Sequence, residues 1–282
     1  MKTTRSLAVQ KARADGFTLT DLVAIMFIIC LLGALLLPAL AGTKPNSQAF
    51  QCLENQRQLV RAWQMYAQDN NGKLAMNGDE SAQPTSDHDT TSQYASQWCP
   101  GRVDPGAATQ AVDTNYIRSG CIYPYVKTVT VYRCPADTST VLLYGQLQPR
   151  IRSISMNTWI GPYNIWNASA GRIFYEESDL GNMGPANIFL LVDENPYSID
   201  DGCMETYAPT VPPTAPNLTW VDYPATYHNG GAGISFCDGH AQIKKWTDPV
   251  VLNMKSPVPS DLPATPGNGD LPWLQARTTR GN

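Results

Sequence analysis

The sequence contains little charge, and it lacks a basic cluster outside its first residues. Charged residues make up 16% of the 282 residues, and the formal net charge is −4. The first sixteen residues carry four bases and one acid, a net of +3, so the rest of the chain carries −7; these residues are Lys2, Arg5, Lys11, Arg13 and Asp15. A mildly acidic chain without a basic patch does not attract phosphate backbones. We therefore expect no nucleic-acid partner.

Two motifs that carry common chemistries are also missing. No two cysteines have the CxxC spacing that zinc sites favour, which argues against a zinc site. No GxSxG or similar motif marks a nucleophile. With no catalytic motif in the chain, we expect a protein that is not an enzyme.

Proline, glycine, aromatic residues and cysteine are plentiful instead. The chain has 22 Pro, 21 Gly, 13 Tyr and 7 Trp, which is typical of a loop-rich extracellular domain that is partly β-structure. Cys30 lies in an apolar run, and the even number of remaining cysteines predicts disulfides formed in an oxidising compartment. Many connectivities are open to six cysteines. The pairs that we expect are Cys52–Cys134, Cys99–Cys121 and Cys203–Cys237.

An uncharged stretch of twenty residues, 22–41, lies near the N-terminus. As a helix it would be about 30 Å long, the thickness of a bilayer core. The bases precede it, which predicts a cytoplasmic N-terminus and an exported remainder. A secretory signal cleaved after Ala41 and a simple membrane anchor are two interpretations, but neither explains the acid Asp21 at the start of the stretch.

A third interpretation rests on a resemblance. The segment GFTLTDLVAIMFIICLLGALLLPAL resembles the N-terminus of type IV prepilins and type II secretion pseudopilins. The resemblance implies that a prepilin peptidase cuts between Gly16 and Phe17 and methylates the new N-terminal Phe17. Asp21 stands where the family carries glutamate, and Pro38 stands where it often has proline. In a filament, Asp21 would then neutralise the terminal amine of a neighbouring subunit, since a buried charge is tolerated when paired.

A second resemblance lies near the other end. HNGGAGISFCDG, with His228, Asp238 and Gly239, resembles the H-X9-DG element found near the C-terminus of a large group of bacterial prepilin-like proteins. His228 and Asp238 are also a base and an acid, which raises a catalytic interpretation. Because no nucleophile motif accompanies them, we favour structural roles, with His228 bonded to a backbone or carboxylate group and Asp238 shaping a turn.

The predicted fold is α+β and similar to type IV pilins. A long N-terminal helix packs on a small antiparallel β-sheet head with long disulfide-stapled loops. The predicted ranges are a leader at 1–16, a helix at 17–71 with a membrane or filament core at 22–41 and an interruption near 38–45, a β-rich head at 72–247, and a Pro/Gly-rich extended tail at 248–282.

Local patterns support these ranges. After the prolines, five apolar residues recur at helical spacing, namely Ala49, Leu53, Val60, Trp63 and Ala67. Four segments predict strands: TVTVYRC, RSISMNTWI, NIFLLVDE and GISFCDGHAQIKKW. The last predicts a hairpin, because Asp238-Gly239 supplies the residues that a tight turn requires.

The segment VDENPYSIDDG concentrates four acids, Asp193, Glu194, Asp200 and Asp201. Hard oxygen ligands on a loop suit Ca²⁺, and type II major pseudopilins bind calcium in a C-terminal loop. The alternative is a solvated acidic loop after a strand. Calcium is the one cofactor that the sequence suggests.

Two functions follow. The first is a structural subunit of a type IV pilus-like or type II secretion filament, made as a precursor in the bacterial inner membrane with a periplasmic head. Its partners would be copies of itself, the prepilin peptidase, the membrane and an inner-membrane assembly platform. The alternative is a membrane-anchored exported binding protein for glycan or calcium, or an enzyme, with the helix as an anchor only. Exposed tryptophans would then form a glycan surface, namely Trp98, Trp159, Trp166 and Trp220.

Overall fold

The computed structural model describes six stretches of the chain, with the backbone alone at 31–41; the stretches are 19–41, 47–77, 96–161, 170–209, 218–255 and 262–280. The chain divides into two compact units, Met1–Pro45 and Asn46–Asn282. The predicted leader and cleavage site, Gly16 and Phe17, lie outside the described residues.

The first unit contains helix α1, Leu19–Ala41, with Asp21 in its first turn. The helix continues past Pro38, so the interruption predicted near 38–45 has not begun by Ala41, and residues 42–46 lie outside the description. The helix predicted over 17–71 with an interruption is not continuous, because a second helix begins at Gln48 after Ser47, whose backbone is extended. In the part of the chain that the structure describes, no helix is both long and apolar enough to cross a membrane.

The second unit combines helices with sheets. Its α-helices are α2 Gln48–Asp69, α3 Ala108–Val112, α4 Asn115–Ser119, α5 Tyr123–Val126, α6 Pro249–Leu252 and α7 Asp270–Gln275. Its strands are β1 Thr140–Leu143, β2 Gln146–Pro149, β3 Ile154–Asn157, β4 Phe189–Asp193, β5 Cys203–Met204, β6 Thr219–Trp220, β7 Gly231–Phe236, β8 Ala241–Lys245 and β9 Leu262–Pro263. Turns of 3-10 helix occupy Pro105–Ala107, Thr130–Tyr132, Glu177–Asn182 and Pro185–Asn187.

The main sheet has five strands in the order β5-β3-β4-β7-β8. Neighbouring strands are antiparallel except β3 and β5, which run parallel, so the sheet is mixed rather than purely antiparallel as predicted. The predicted hairpin is present as β7–β8. Gly239 adopts a φ of +100°, and the Asp238 carboxylate accepts a hydrogen bond from the His240 amide at 3.0 Å. These residues close the turn as their types predict.

Helix α2 covers one face of this sheet. Ser47 caps it by accepting a hydrogen bond from the Phe50 amide at 3.2 Å. The helix packs against β4, β7 and β8 through an apolar stripe whose members include Leu59 and Trp63. In its first turns the buried residues are Cys52 and Gln56, whereas the predicted Ala49 and Leu53 are half-buried. The helix therefore turns two polar side chains toward the sheet.

The opposite face of the sheet packs against the C-terminal segment, where the prediction of an extended tail at 248–282 is wrong. Leu271 and Leu274 of α7 are buried in a second apolar cluster with Phe236 and Trp246. Asp270 begins α7, and its carboxylate accepts hydrogen bonds from the backbone amides of Thr247 and Asp248 and from the Lys244 ammonium group. Apolar burial and these bonds hold a segment that has no clear period.

The prediction of a strand at TVTVYRC is also wrong. The segment forms a 3-10 turn at Thr130–Tyr132. The alternating β-branched residues favour a strand, but among the described strands none pairs with them, and the turn packs against α2 instead. Val131 and Tyr132 are buried there in the core under the helix.

Acid should weaken the C-terminal attachment through Asp270. Burial acts to raise the pKa of Asp270, but hydrogen bonds from Lys244, Thr247 and Asp248 outweigh it and hold the pKa below its usual value. The stabilisation is therefore complete above about pH 4 and is lost as the pH falls through the lower folded-state value. We expect Asp270→Asn to cost about 2 kcal/mol at pH 7 and to flatten the loss of stability below pH 4.

Urea unfolding of the full chain measures this effect. The measurements run from about pH 2.5 to about pH 7, a range that includes the ordinary carboxyl pKa. Asp69→Asn is the control, because the Asp69 carboxylate is exposed and accepts a hydrogen bond from the Tyr125 hydroxyl at the surface. Equal pH dependence in the two variants would show that Asp270 does not hold the segment.

Candidate functional site

Helix α1 presents an apolar surface on all sides. Each described side chain, from Leu19 to Cys30, is exposed, including Phe27 at 70% and Ile29 at 58%. Asp21 introduces one acid into the first turn of this surface. Pro38 is part of α1, whereas Gly16 and Phe17 lie outside the described residues.

The two ends of the H-X9-DG element do not form one site. His228 lies in the turn before β7, and Asp238 lies in the turn after it. The six residues of the strand between them span about 20 Å. Asp238 bonds His240, with 2.6 Å between its Oδ1 and the imidazole Nδ1, so it acts locally in the hairpin turn. The catalytic interpretation of His228 with Asp238 is therefore excluded by distance.

The four acids of the predicted calcium loop do not form one ligand set. Glu194 and Asp201 each lie close enough to Asp200 to interact with it electrostatically, whereas Asp193 belongs to a different group. Asp193 and Glu194 are consecutive and point to opposite sides of the strand end. The Asp193 carboxylate contacts Cys52, while Glu194 Oε1 accepts a hydrogen bond from the Ser198 hydroxyl at 2.9 Å. Burial raises the pKa of Glu194 well above its usual value. Among the described residues, the side chains close enough to share an ion are a different set, to which only Asp193 of the four belongs.

The tryptophans proposed for a glycan surface are mostly in the core. Trp98, Trp159 and Trp220 are each at most 2% exposed, and Trp166 lies outside the described residues. Each buried indole donates its N–H, Trp98 to the Gly202 carbonyl and Trp159 to the Thr206 carbonyl. These three residues stabilise the interior and leave no aromatic surface of their own.

The predicted disulfides are absent: all seven cysteines lie among the described residues, and each is a free thiol. Cys203 on β5 and Cys237 after β7 are separated by two intervening strands, or about 14 Å, too far for a disulfide. Cys121 donates to the Ser96 carbonyl at 3.2 Å rather than bonding to Cys99. The remaining pair, Cys52 and Cys134, belongs to a larger group.

Four buried side chains converge at the junction of α2 with the sheet. The Cys52 thiol lies 2.9 Å from Asp193 Oδ2, and the Cys134 sulfur lies 3.3 Å from His228 Nε2. His228 Nε2 is also 3.6 Å from Asp193 Oδ2. All four ligand atoms fall within 4.8 Å of one another. We call Cys52, Cys134, Asp193 and His228 the buried cluster.

Different segments deliver these four side chains. Cys52 comes from the second turn of α2, and Cys134 follows the 3-10 turn at Thr130–Tyr132. Asp193 is the last residue of β4. The Lys245 ammonium group donates to the His228 carbonyl and so holds the turn that carries His228. The four residues are therefore far apart in the sequence, and no short sequence motif predicts that they meet.

Neighbouring groups orient the Asp193 carboxylate. Its Oδ1 accepts from the Gln56 amide at 3.3 Å, and its Oδ2 accepts from the Gly233 amide at 2.9 Å. A Cβ on Gly233 would lie 2.8 Å from the Cys52 sulfur and 3.0 Å from Asp193 Oδ2. Glycine is therefore required where β7 passes the cluster, because there is no room for a side chain.

The protons of the cluster are shared unequally. The hydrogen bond with Cys134, together with burial, raises the pKa of Cys52 well above its usual value. The same hydrogen bond lowers the pKa of Cys134, against the opposing effect of burial. Burial acts to lower the pKa of His228, but its bonds with Asp193 and Cys134 raise it to about 9. Cys134 is thus the thiol that ionises first, beside a cationic imidazole.

The geometry of His228 limits what the cluster does. In a nucleophile–histidine–acid triad the acid bonds one imidazole nitrogen and the nucleophile bonds the other. Here Cys134 and Asp193 both approach Nε2. They cannot relay a proton through the ring, and the four atoms instead surround a common point. Two sulfurs, a nitrogen and an oxygen arranged in this way are the donor set of a metal ion.

A cleft of about 550 Å³ opens beside the cluster, and Cys134 forms part of its wall with Gln51, Asn55, Arg133 and Asp137. The cleft reaches Cys134, which is itself fully buried. Comparisons of the chain with family models, curated proteins and solved structures find no match.

Proposed function

We propose that the chain is a structural subunit of a filament of the type IV pilus or type II secretion pseudopilus class, assembled through α1. The observation that carries the proposal is the apolar surface of that helix, which is exposed along Leu19 to Cys30. A helix that is apolar all round is not stable with its whole surface in water, so lipid or other helices must cover it.

The acid in the first turn favours other copies of the same helix as the final cover. In the proposed mature chain Phe17 carries the terminal ammonium group, and Asp21 lies four residues further on. A carboxylate and an ammonium group in apolar surroundings stabilise each other only when they are paired. Pairing Asp21 with the amine of the next subunit would align neighbouring helices along the filament axis.

The proposed life cycle begins with a precursor in the bacterial inner membrane, with its N-terminus in the cytoplasm and its head outside. The prepilin peptidase removes residues 1–16, and an inner-membrane platform then moves the helix from lipid into the filament. The function of the head is to cover the filament surface. This proposal assigns no catalytic role to the head.

Changing Asp21 to alanine tests the assembly step. Removing one partner of a buried ion pair costs about 3–5 kcal/mol, so we expect filaments sheared from cells to fall below detection. Asp21→Glu is the matched control, since it keeps the charge and lengthens the side chain by one methylene, and it should still assemble. Electron microscopy and immunoblotting of the sheared fraction measure the result.

Mass spectrometry of the native protein checks processing in the same samples. A chain that starts at N-methyl-Phe17 is expected. A chain that starts at Gly42, or an Asp21→Ala variant that assembles like the wild type, would contradict the proposal and favour a secreted or merely anchored protein.

A further inference from the structure

We propose that Cys52, Cys134, Asp193 and His228 bind one zinc ion, which fastens α2 to the main sheet. The site lies wholly in the second unit and does not depend on the proposed filament function. Its ligand atoms would be the two Sγ atoms, Asp193 Oδ2 and His228 Nε2, which all lie within 4.8 Å of one another.

The distances between these atoms are close to those of a tetrahedral zinc site. Zinc bonds of about 2.3 Å to sulfur and about 2.0–2.1 Å to nitrogen or oxygen place neighbouring ligand atoms about 3.3–3.8 Å apart. The cluster has 2.9 Å from Cys52 to Asp193, 3.3 Å from Cys134 to His228, and 3.6 Å from His228 to Asp193. Movements of about 1 Å or less bring all four atoms to a shared ion, within the freedom of side-chain rotation.

The donor types select zinc among the common ions. Thiolate sulfur binds calcium and magnesium poorly, because those ions prefer oxygen. Two thiolates, one imidazole and one carboxylate fill four positions and leave none open for substrate, as in structural zinc sites. When the ion binds, the protons that the two thiols carry and the Nε2 proton of the His228 imidazolium all pass to solvent, so that the ligands are two thiolates, the Asp193 carboxylate and the neutral ring. Three negative charges then face the two positive charges of the ion.

The surroundings already support these ligands as metal sites require. Gln56 and the Gly233 amide hold both oxygens of Asp193, as outer hydrogen bonds hold a ligating carboxylate. The cleft described above ends against Cys134, one of the four ligands.

The main competitor is the Cys52–Cys134 disulfide that the sequence predicts. It would join the same two elements in an oxidising compartment. It would also remove the contact of Cys52 with the buried Asp193 carboxylate and the contact of Cys134 with the buried His228 ring. In the structure both cysteines are free thiols. The zinc site uses all four groups, whereas the disulfide uses two.

Metal analysis of the full chain distinguishes the two. The protein is purified without chelator, and zinc is measured by plasma mass spectrometry together with peptide mapping under non-reducing conditions. We expect about one zinc per chain and no Cys52–Cys134 disulfide. Removing zinc with a chelator should lower the melting temperature by about 10 °C or more, and adding zinc back should restore it.

Matched variants locate the ion. His228→Gln should lose the zinc, while His240→Gln, at the exposed turn, should keep it. Cys134→Ser should lose it, while Cys203→Ser, on β5 outside the cluster, should keep it. Where a ligand variant fails to fold, X-ray absorption of the wild type still decides, because two sulfur ligands at about 2.3 Å and two lighter ligands at about 2.0–2.1 Å are expected.

Several results would overturn the proposal. These are a Cys52–Cys134 disulfide in the freshly isolated protein, a reduced chain that takes up no zinc after dialysis against it, or bound zinc without two sulfur ligands. Retention of zinc by a folded His228→Gln variant would likewise place the ion elsewhere. None of these results bears on assembly through α1, so the zinc site and the filament can fail separately.

Discussion

Gly233→Ala is expected to lower the free energy of unfolding of the chain by about 3 kcal/mol or more. The new Cβ would lie 2.8 Å from both the Cys52 sulfur and Gln56 Nε2, and 3.0 Å from Asp193 Oδ2. These atoms are buried between α2 and β7, so they cannot turn out into solvent. The variant must either separate the helix from the sheet or displace the carboxylate from the cluster.

Gly181→Ala is the matched control for this prediction. A Cβ on Gly181 would meet no atom within 4 Å. Urea unfolding should show Gly181→Ala to be as stable as the wild type or about 0.5 kcal/mol more stable, since alanine reduces the freedom of the unfolded chain. If Gly233→Ala matched this control, the close approach of β7 to the cluster would be wrong.

The second large effect is expected at Trp220. This side chain is 1% exposed and stacks on Tyr223, with 6.3 Å between ring centroids. It also meets Trp246 edge-on at 6.2 Å and donates its indole N–H to Asp248 at 3.0 Å. Trp220→Ala should therefore cost about 4 kcal/mol through the cavity and the lost hydrogen bond.

Two further variants make the Trp220 prediction specific. Trp220→Phe keeps most of the apolar contact and should cost about half as much, mainly through the loss of the indole hydrogen bond to Asp248 Oδ2, which keeps its bond from the Thr265 amide. Tyr144→Ala, at a side chain that is 90% exposed, should change stability by less than about 0.5 kcal/mol. If the unfolding midpoint of Trp220→Ala equalled that of Tyr144→Ala, Trp220 would not be a buried core residue. The glycan-binding alternative would then be favoured again.

Some elements of the fold follow from short patterns in the sequence. The hairpin β7–β8 follows from Asp238-Gly239, because few residues other than glycine adopt the φ of +100° found there. The strand β4 follows from the apolar run before Asp193, which suits a strand buried on both faces. Helix α2 follows from apolar residues at helical spacing.

Other elements depend on a partner that the local sequence does not identify. TVTVYRC has a strand pattern but forms a 3-10 turn, because α2 rather than another strand packs against it. The segment after Thr247 reads as an irregular tail, yet Asp270 and Leu274 attach it to the sheet. In both cases the preference of the segment is weak compared with the free energy of its tertiary contacts.

The buried cluster is the clearest case of information that spacing does not carry. Without a CxxC pair the sequence argued against zinc, and it assigned the four groups to three separate roles, namely a disulfide, a calcium loop and a motif histidine. Cys52 and Gln56 do lie four residues apart on one helical face, which was a signal of a polar site under α2. The signal is weak, because its partners Cys134, Asp193 and His228 are far away in the chain.

By itself the sequence determined the uncharged stretch at 22–41 with the acid at its start, the helical period of α2, and the turn of the final hairpin. These features follow from local hydrophobicity and backbone preference, which each residue carries wherever it lies. Only the tertiary structure decided that Trp98, Trp159 and Trp220 are interior, that the cysteines are not paired, and that Cys52, Cys134, Asp193 and His228 meet. Those outcomes depend on which distant segments pack together. That packing is determined by interactions among many segments at once, and no single stretch of sequence determines it.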